Sequence, residues 1–188
     1  GTSGPNGVSE NHINWLIALK LKENLQSVGA NVVMTKQSEG EYVTNRRRAE
    51  IANAANADLM IRLHCDAANA RGYAVYAPDR TGTVSGVSGP SSTVISASTG
   101  MMGAFYEGMK SVLAGTLSGR GTHGDSATYV GSRQGALTGS IFSQVPTLTV
   151  EMCVLTNAQD EAFINSASGQ AKMVEALRAG LEYAFGGR

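Results

Sequence analysis

The sequence lacks several features that mark whole classes of protein. Its 15 basic and 15 acidic residues leave a formal charge of zero, whereas nucleic-acid-binding proteins usually carry a basic surplus. No apolar run approaches the roughly 20 residues that a membrane-spanning helix needs. The opening residues, GTSGPNG, have neither the basic start nor the apolar stretch of a signal peptide. We therefore expect no nucleic-acid partner and no membrane span, and an exported protein would already have lost its signal.

Cysteine and proline are also scarce. Two cysteines allow at most one disulfide bond and therefore say little about the compartment. Four prolines against 23 glycines predict many tight turns and long polar loops. A length of 188 residues is typical of one domain and is enough to bury a sizeable core.

Two apolar runs each end close to a residue that can bind a metal or transfer a proton. In ADLMIRLHCD, Leu59–Leu63 has the character of a buried parallel strand that ends at His64. The later run PTLTVEMCVLTN has the same character and contains Glu151. Open α/β sheets bind their ligands at the carboxyl ends of their strands. A carboxylate inside an apolar strand also costs several kcal/mol unless it is paired or liganded. The two runs therefore predict a metal-binding or catalytic site.

The remaining pattern alternates helices with strands. Ser9 is a candidate N-cap for a helix that starts at Glu10 and runs to about Val28, with Gly29 as its stop. The other predictions are a strand at Asn31–Thr35, a helix at Thr44–Asn56, a strand at Gly72–Ala77, a long loop at Asp79–Ser98, a helix from the mid-nineties to Leu113, a polar region at Ser118–Gly139, and helices after Asn157 and at Gln170–Phe185. This order predicts a single α/β domain with a twisted, mostly parallel sheet and helices on both faces.

Three stretches together resemble the zinc-dependent N-acetylmuramoyl-L-alanine amidases of the Amidase_3 type. They are SENHINWLIALKLKENLQSVGANVVMT, RRAEIANAANADLMIRLHCDA and VPTLTVEMCVLTNAQDEAF. The resemblance covers nearly the whole chain and is weak between Asp79 and Thr128. It implies a twisted α/β sheet with zinc at the strand ends. It also implies cleavage of the amide that joins muramic acid to L-alanine in peptidoglycan, outside the cytoplasm.

The resemblance also assigns roles to individual residues. It implies that Glu10 and His64 are zinc ligands and that Glu151 is the catalytic glutamate. Arg48 and Asn53 match an RxxxAN signature that looks structural. Zinc with an open coordination position lowers the pKa of bound water to about 7, and a nearby carboxylate can move its proton. Such a donor set suits amide hydrolysis.

One part of the family pattern has no counterpart in the sequence. The family's first zinc histidine lies in a turn that follows an opening strand. Gly1 aligns with the residues just after that turn. Residues 1–188 are therefore expected to be an amidase catalytic domain without its N-terminal strand and first zinc histidine. Either the chain is part of a longer protein or the site is assembled differently. A companion or activator chain that supplies the segment is a further expectation.

Simpler interpretations remain open at each position. Glu10 alone suits any helix start, and His64 alone suits a hydrogen-bonded core histidine. His12 is expected to point away from Glu10, while His123 lies in a glycine-rich region from which it could reach a metal. Cys65 and Cys153 could form a bridge or remain two buried thiols. The alternative functions are a non-catalytic wall-binding or regulatory domain of the same fold, and another zinc amidohydrolase or peptidase.

Overall fold

The sheet has four strands in the order β1–β6–β2–β5, in a computed structural model that describes residues 1–186. The strands are β1 (Met60–Asp66), β2 (Tyr73–Ala77), β5 (Gly119–Gly124) and β6 (Thr147–Val154). The β1–β6 and β2–β5 pairs are parallel, and β2 runs antiparallel to β6. The predicted α/β fold is confirmed, with a mixed sheet in which two of the three pairings are parallel.

The first helix is positioned by its own sequence. It is α1 (Glu10–Gln26), and Ser9 is its N-cap residue, although the Ser9 side chain makes no capping hydrogen bond. Ile13 and Ile17 lie on one face of the helix and are fully buried. This apolar stripe holds α1 against the sheet and fixes Glu10 at the start of the helix.

The two faces of the sheet have different coverings. One face packs on the main core, which includes Leu148, Val150 and residues of α1, α3 (Ser92–Leu113) and α7 (Ala167–Ala184). The alternate strand positions, such as Met60, belong to a smaller cluster with Ala52 and Val145. The helices α2 (Asn45–Ala54) and α5 (Thr138–Ile141) lie on this second side. Helices therefore flank both faces, and the second face is the more polar.

The remaining elements are short. They are the hairpin strands β3 (Gly82–Val84) and β4 (Val87–Gly89), a 3₁₀ turn (Asp125–Ala127), α4 (Tyr129–Gln134) and α6 (Ala158–Asn165). The α6 helix begins where its sequence predicts, because the Asn157 side chain accepts hydrogen bonds from the N–H groups of Gln159 and Asp160. None of the helices in residues 1–186 combines the length and apolar character needed to cross a membrane.

Two sequence-based predictions of elements were wrong, and a third region contains elements that its composition does not signal. Asn31–Thr35 is not a strand, because no neighbouring strand in residues 1–186 pairs with it. Asp79–Ser98 is not one long loop, because it contains the β3–β4 hairpin and the start of α3 at Ser92. The polar region Ser118–Gly139 contains β5, α4 and the start of α5. Its glycines give no strand signal, and pairing with β2 alone makes β5 a strand.

The two signature residues outside the sheet are structural, as expected. The Arg48 guanidinium donates to the Val43 carbonyl at 3.1 Å and to Thr35 Oγ1 at 3.2 Å. The Asn53 amide donates to the Phe142 carbonyl at 2.9 Å and accepts from the Gln144 N–H at 2.8 Å. Both side chains therefore hold α2 against neighbouring loops.

Candidate active site

A row of side chains crosses the sheet through His64 and Glu151. These two residues are direct partners in the β1–β6 register, and Glu151 is in turn the partner of Ala74 on β2. Adjacent strands are about 4.8 Å apart, so partner residues on one face are close neighbours. The small Ala74 side chain leaves space beside Glu151. The sequence prediction that β1 and β6 bring His64 and Glu151 to one region is consistent with this register.

Glu10 reaches the same region from the start of α1. Its Oε1 accepts hydrogen bonds from His64 Nδ1 at 3.0 Å and from the Cys65 N–H at 3.2 Å, and its Oε2 accepts from the Thr2 N–H at 2.8 Å. Burial raises the pKa of Glu10, but these hydrogen bonds outweigh burial and lower the pKa to about 2. Glu10 is therefore a carboxylate that is held rigidly against His64.

Glu151 has the opposite electrostatic character. Burial raises its pKa to about 8, the negative charges of Asp66 and Glu10 add to the effect, and Arg120 and Arg62 oppose it. Its Oε2 atom is buried without a hydrogen-bond partner. A mostly buried carboxyl group with a pKa near neutrality and an unpaired oxygen is suited to holding and releasing a proton.

Two further residues, absent from the sequence-based site, lie beside Glu151. Arg120 Nη2 donates to Asp66 Oδ2 at 2.7 Å, and both side chains are mostly buried. Asp66 follows the predicted strand closely, so its position could have been read from the sequence. Arg120 lies in the glycine-rich region, where no residue pattern predicts a strand.

The other histidines and the cysteines have structural surroundings. His12 is half exposed and pairs with Glu39 at 3.0 Å, away from Glu10. His123 Nε2 lies 2.9 Å from the Arg120 carbonyl oxygen, and its ring packs on Tyr76. Cys65 and Cys153 are buried free thiols, and their proximity and burial raise the pKa of Cys65.

A glutamate on α6 fixes the segment that leads into Glu10. The Glu161 carboxylate accepts hydrogen bonds from the N–H groups of Asn6 and Val8 and from the Asn6 side-chain amide. Gly4 packs so closely on Glu161 that a Cβ atom there would lie 2.2 Å from its Oε1. The carboxylate thus sets the path of residues 4–8 and, through them, the position of Thr2 and Glu10.

A groove runs along the outer edge of β1. It has a volume of about 350 Å³ and lies between residues 60–64 of β1 and residues 33–36. Asn14 and Trp15 of α1 form part of its wall, and the groove reaches His64. In residues 1–186, β1 has a strand neighbour on one side alone, namely β6. The groove therefore exposes an unpaired sheet edge next to the candidate site.

The donor set fits part of a metal site. Glu10 Oε1 and His64 Nδ1 lie 3.0 Å apart, and a carboxylate oxygen and an imidazole nitrogen are both donors that zinc accepts. In residues 1–186, no group of three His, Cys, Asp or Glu side chains is arranged to hold a metal ion. Zinc sites in enzymes usually have three protein ligands. The pair therefore fits two of the three positions.

The chain is an α/β domain with a mixed sheet, and its candidate site combines a charged carboxylate, an imidazole and a carboxyl group of raised pKa. The family model described as N-acetylmuramoyl-L-alanine amidase, Amidase_3, matches residues 1–183, and the chain belongs to this family.

Individual relatives agree with this assignment. The chain is 26% identical over 190 residues to the N-acetylmuramoyl-L-alanine amidase Rv3717 of Mycobacterium tuberculosis, covering 96% of this chain and 70% of that protein. It is 33% identical over 88 residues to the amidase AmiC of Neisseria meningitidis, which covers 45% of this chain and 21% of that longer protein. The fold is also that of the solved structure of the amidase Ami1 from Mycobacterium smegmatis, with a TM-score of 0.83 at 19% identity, covering 100% of this chain and 82% of that one.

Proposed function

We propose that the chain hydrolyses the amide between the lactyl group of N-acetylmuramic acid and L-alanine in peptidoglycan. The observation that carries this proposal is the meeting of Glu10, His64 and Glu151 at one region of the sheet in a chain of the amidase family. Because peptidoglycan lies outside the cytoplasmic membrane, the proposal implies an extracytoplasmic place of action.

Glu10 and His64 would hold a zinc ion. The low pKa of Glu10 keeps its carboxylate charged, and the hydrogen bonds from Thr2 and Cys65 fix its orientation. Zinc, when bound, supplies a Lewis acid and a water molecule of lowered pKa. The third donor in this proposal comes from a companion segment of a partner chain or of a longer polypeptide. The open groove beside β1 supports this part of the proposal, because it exposes an unpaired edge close to His64.

Glu151 would transfer the proton. Its pKa of about 8 in the metal-free chain falls when a cation is near, since a positive charge favours the carboxylate. The carboxylate can then take a proton from the attacking water and give it to the departing alanine nitrogen. The unpaired Oε2 atom is free for this exchange.

One observation favours the alternative of a non-catalytic wall-binding or regulatory domain. Residues 1–186 gather two zinc-type ligands near one another and not three. Two ligands rarely hold zinc against water and buffer. A polypeptide of residues 1–188 alone should therefore bind zinc weakly, and tight stoichiometric zinc on it would show that the third donor is one of its own side chains.

Two substitutions test the proposed roles in the complete protein loaded with zinc. Glu151→Gln keeps the shape of the side chain and removes its basicity, so zinc content should persist while turnover falls by about 10² or more. His64→Ala should lose both zinc and activity. The readouts are elemental analysis and release of stem peptide from purified peptidoglycan.

The controls are Glu182→Gln and His12→Ala, two exposed positions outside the site. Both should behave as wild type. A Glu151→Gln variant that hydrolyses at nearly the wild-type rate, or that loses its zinc, would contradict the proton-transfer role. A wild-type protein that binds peptidoglycan without releasing stem peptide would favour the non-catalytic alternative.

A further inference from the structure

The β5 strand contains an irregularity next to the candidate site. Tyr73 pairs with Gly119 and Val75 pairs with Thr122, so β5 advances three residues while β2 advances two. The extra residue lies at Arg120–Gly121, and Gly121 has a φ of +87°. Such a bulge re-aims a side chain, and bulges are frequent beside active sites. The bulge lies across β2 from Glu151, because Ala74 separates the two.

Contacts on both sides hold the bulge and its arginine in place. His123 Nε2 lies 2.9 Å from the Arg120 carbonyl oxygen, and Tyr106 accepts a hydrogen bond from the Gly121 N–H at 3.2 Å. The Arg120 guanidinium donates to Asp66 at 2.7 Å. Since β5 and β1 are the two outer strands, this ion pair crosses over the two central strands of the sheet.

One end of the guanidinium has no partner. Asp66 binds Nη2, while Nη1 is buried and makes no hydrogen bond within the described residues. Glu151 Oε2 is likewise buried without a hydrogen-bond partner. Arg120 acts electrostatically on Glu151. The charge and hydrogen-bonding proximity of its guanidinium also oppose the rise that burial gives the pKa of Tyr76, so the three side chains share one neighbourhood. A buried donor without a partner is costly, so Nη1 calls for an acceptor that the neighbouring side chains do not supply.

We propose that Arg120 is a substrate-binding residue whose Nη1 donates a hydrogen bond to a carbonyl oxygen of the peptide portion of the substrate, beside Glu151. This inference rests on the proposed function, because the substrate is the glycan–peptide amide bound beside Glu151.

The surrounding charges decide between a carbonyl and a carboxylate as the acceptor. The Arg120 charge is already balanced by Asp66 at 2.7 Å. A carboxylate of the substrate would therefore meet the negative charge of Asp66 beside an arginine whose charge is already paired. A neutral carbonyl oxygen can accept from Nη1 without this repulsion.

Arg120→Lys separates binding from a structural role. Lysine keeps the charge and can keep the ion pair with Asp66, but it lacks the planar group that presents a second donor in a fixed direction. We expect Arg120→Lys to melt close to wild type and to keep its zinc. Its kcat/KM on a soluble glycan–peptide fragment should fall about 10- to 100-fold, as for the loss of a hydrogen bond from a charged group. Arg178→Lys, on the exposed Arg178–Glu182 pair of α7, is the matched control and should keep wild-type kinetics.

The same fragment is also titrated against Glu151→Gln proteins, with and without Arg120→Lys, so that binding is measured without turnover. We expect Arg120→Lys to weaken binding by about tenfold or more. Wild type that binds the fragment but does not cleave it would refute the proposed hydrolysis and leave this test of Arg120 intact. Cleavage and binding within twofold of wild type in Arg120→Lys would overturn the inference.

A final comparison tests the neutral acceptor. Fragments with free stem carboxylates and fragments with amidated ones should show the same loss with Arg120→Lys. A loss confined to the free carboxylates would contradict the carbonyl assignment.

Discussion

Glu10 and Glu151 lie in the same candidate site and have opposite pKa shifts. Three hydrogen-bond donors outweigh burial at Glu10 and bring its pKa to about 2. Glu151 has an unpaired oxygen, and burial with nearby negative charge raises its pKa to about 8. Two carboxyl groups whose pKa values are shifted in opposite directions are suited to different chemical roles. Glu10 is suited to permanent negative charge and Glu151 to proton exchange.

The raised pKa of Glu151 predicts a pH-dependent cost to stability in the metal-free chain. Its ordinary pKa of 4.5 applies to the unfolded chain and about 8 to the folded one, so the folded state binds more protons between these values. The free energy of unfolding therefore falls as the pH rises through this window. Glu151→Gln removes the titrating group and should be more stable than wild type above pH 8, by an amount on the order of a few kcal/mol.

Thermal melting in the presence of a chelator, at about pH 4 and about pH 9, measures this difference. The two proteins should melt at similar temperatures in acid and diverge in base. Glu182→Gln, at an exposed position on α7, should show no such divergence. An equal difference between wild type and Glu151→Gln at both pH values would contradict the raised pKa.

At the scale of elements, α3 and α7 approach each other closely through glycine. A Cβ atom at Gly108 of α3 would lie 2.3 Å from the Ala179 carbonyl oxygen of α7. Gly108→Ala must therefore push the two helices apart, and we expect a loss of about 1–3 kcal/mol of unfolding free energy. Urea unfolding measures the change.

Gly100 lies in the same helix and provides the matched control. A Cβ atom there meets nothing within 4 Å. Gly100→Ala should stabilise the protein by about 0.5–1 kcal/mol, because alanine loses less backbone entropy than glycine in a helix. Equal effects of the two substitutions would show that helix propensity alone, and not close packing, sets the role of Gly108.

The elements that the sequence predicted correctly are those whose local pattern decides their structure. The apolar stripe of α1, the buried runs of β1 and β6 and the Asn157 cap all signal their elements directly. Asn31–Thr35 has the composition of a strand, but a strand also requires a partner, which no local pattern supplies. The Ser85–Gly86 turn has positive φ at both positions, a hairpin signal that could have been recognised in Asp79–Ser98.

The candidate site could also be predicted only in part from the sequence. Glu10 starts a helix, and His64 and Glu151 lie within the two apolar strand runs, so their sequence context marks them. The predicted end of the strand at His64 was wrong, because β1 continues to Asp66. Arg120 could not be found, because its position depends on a bulge in a glycine-rich strand whose existence depends on pairing with β2. Its contact with Asp66 is a tertiary one that crosses the sheet.

At the scale of the whole molecule, the sheet joins two parallel halves that run in opposite directions. The β1–β6 half carries His64, Glu151 and Asp66, and the β2–β5 half carries Arg120. The α1 helix adds Glu10 from the side of the groove. The candidate site thus depends on the complete sheet.

Mass analysis of the products from purified peptidoglycan tests the central claim most directly. The complete protein with zinc should release whole stem peptides that carry a free alanine amino group, and it should leave the glycan strands uncut. Peptides shortened at an internal bond would instead identify another zinc amidohydrolase or peptidase, and sugar fragments would identify cleavage of the glycan. Either of these product sets, or no product at all, would contradict the account.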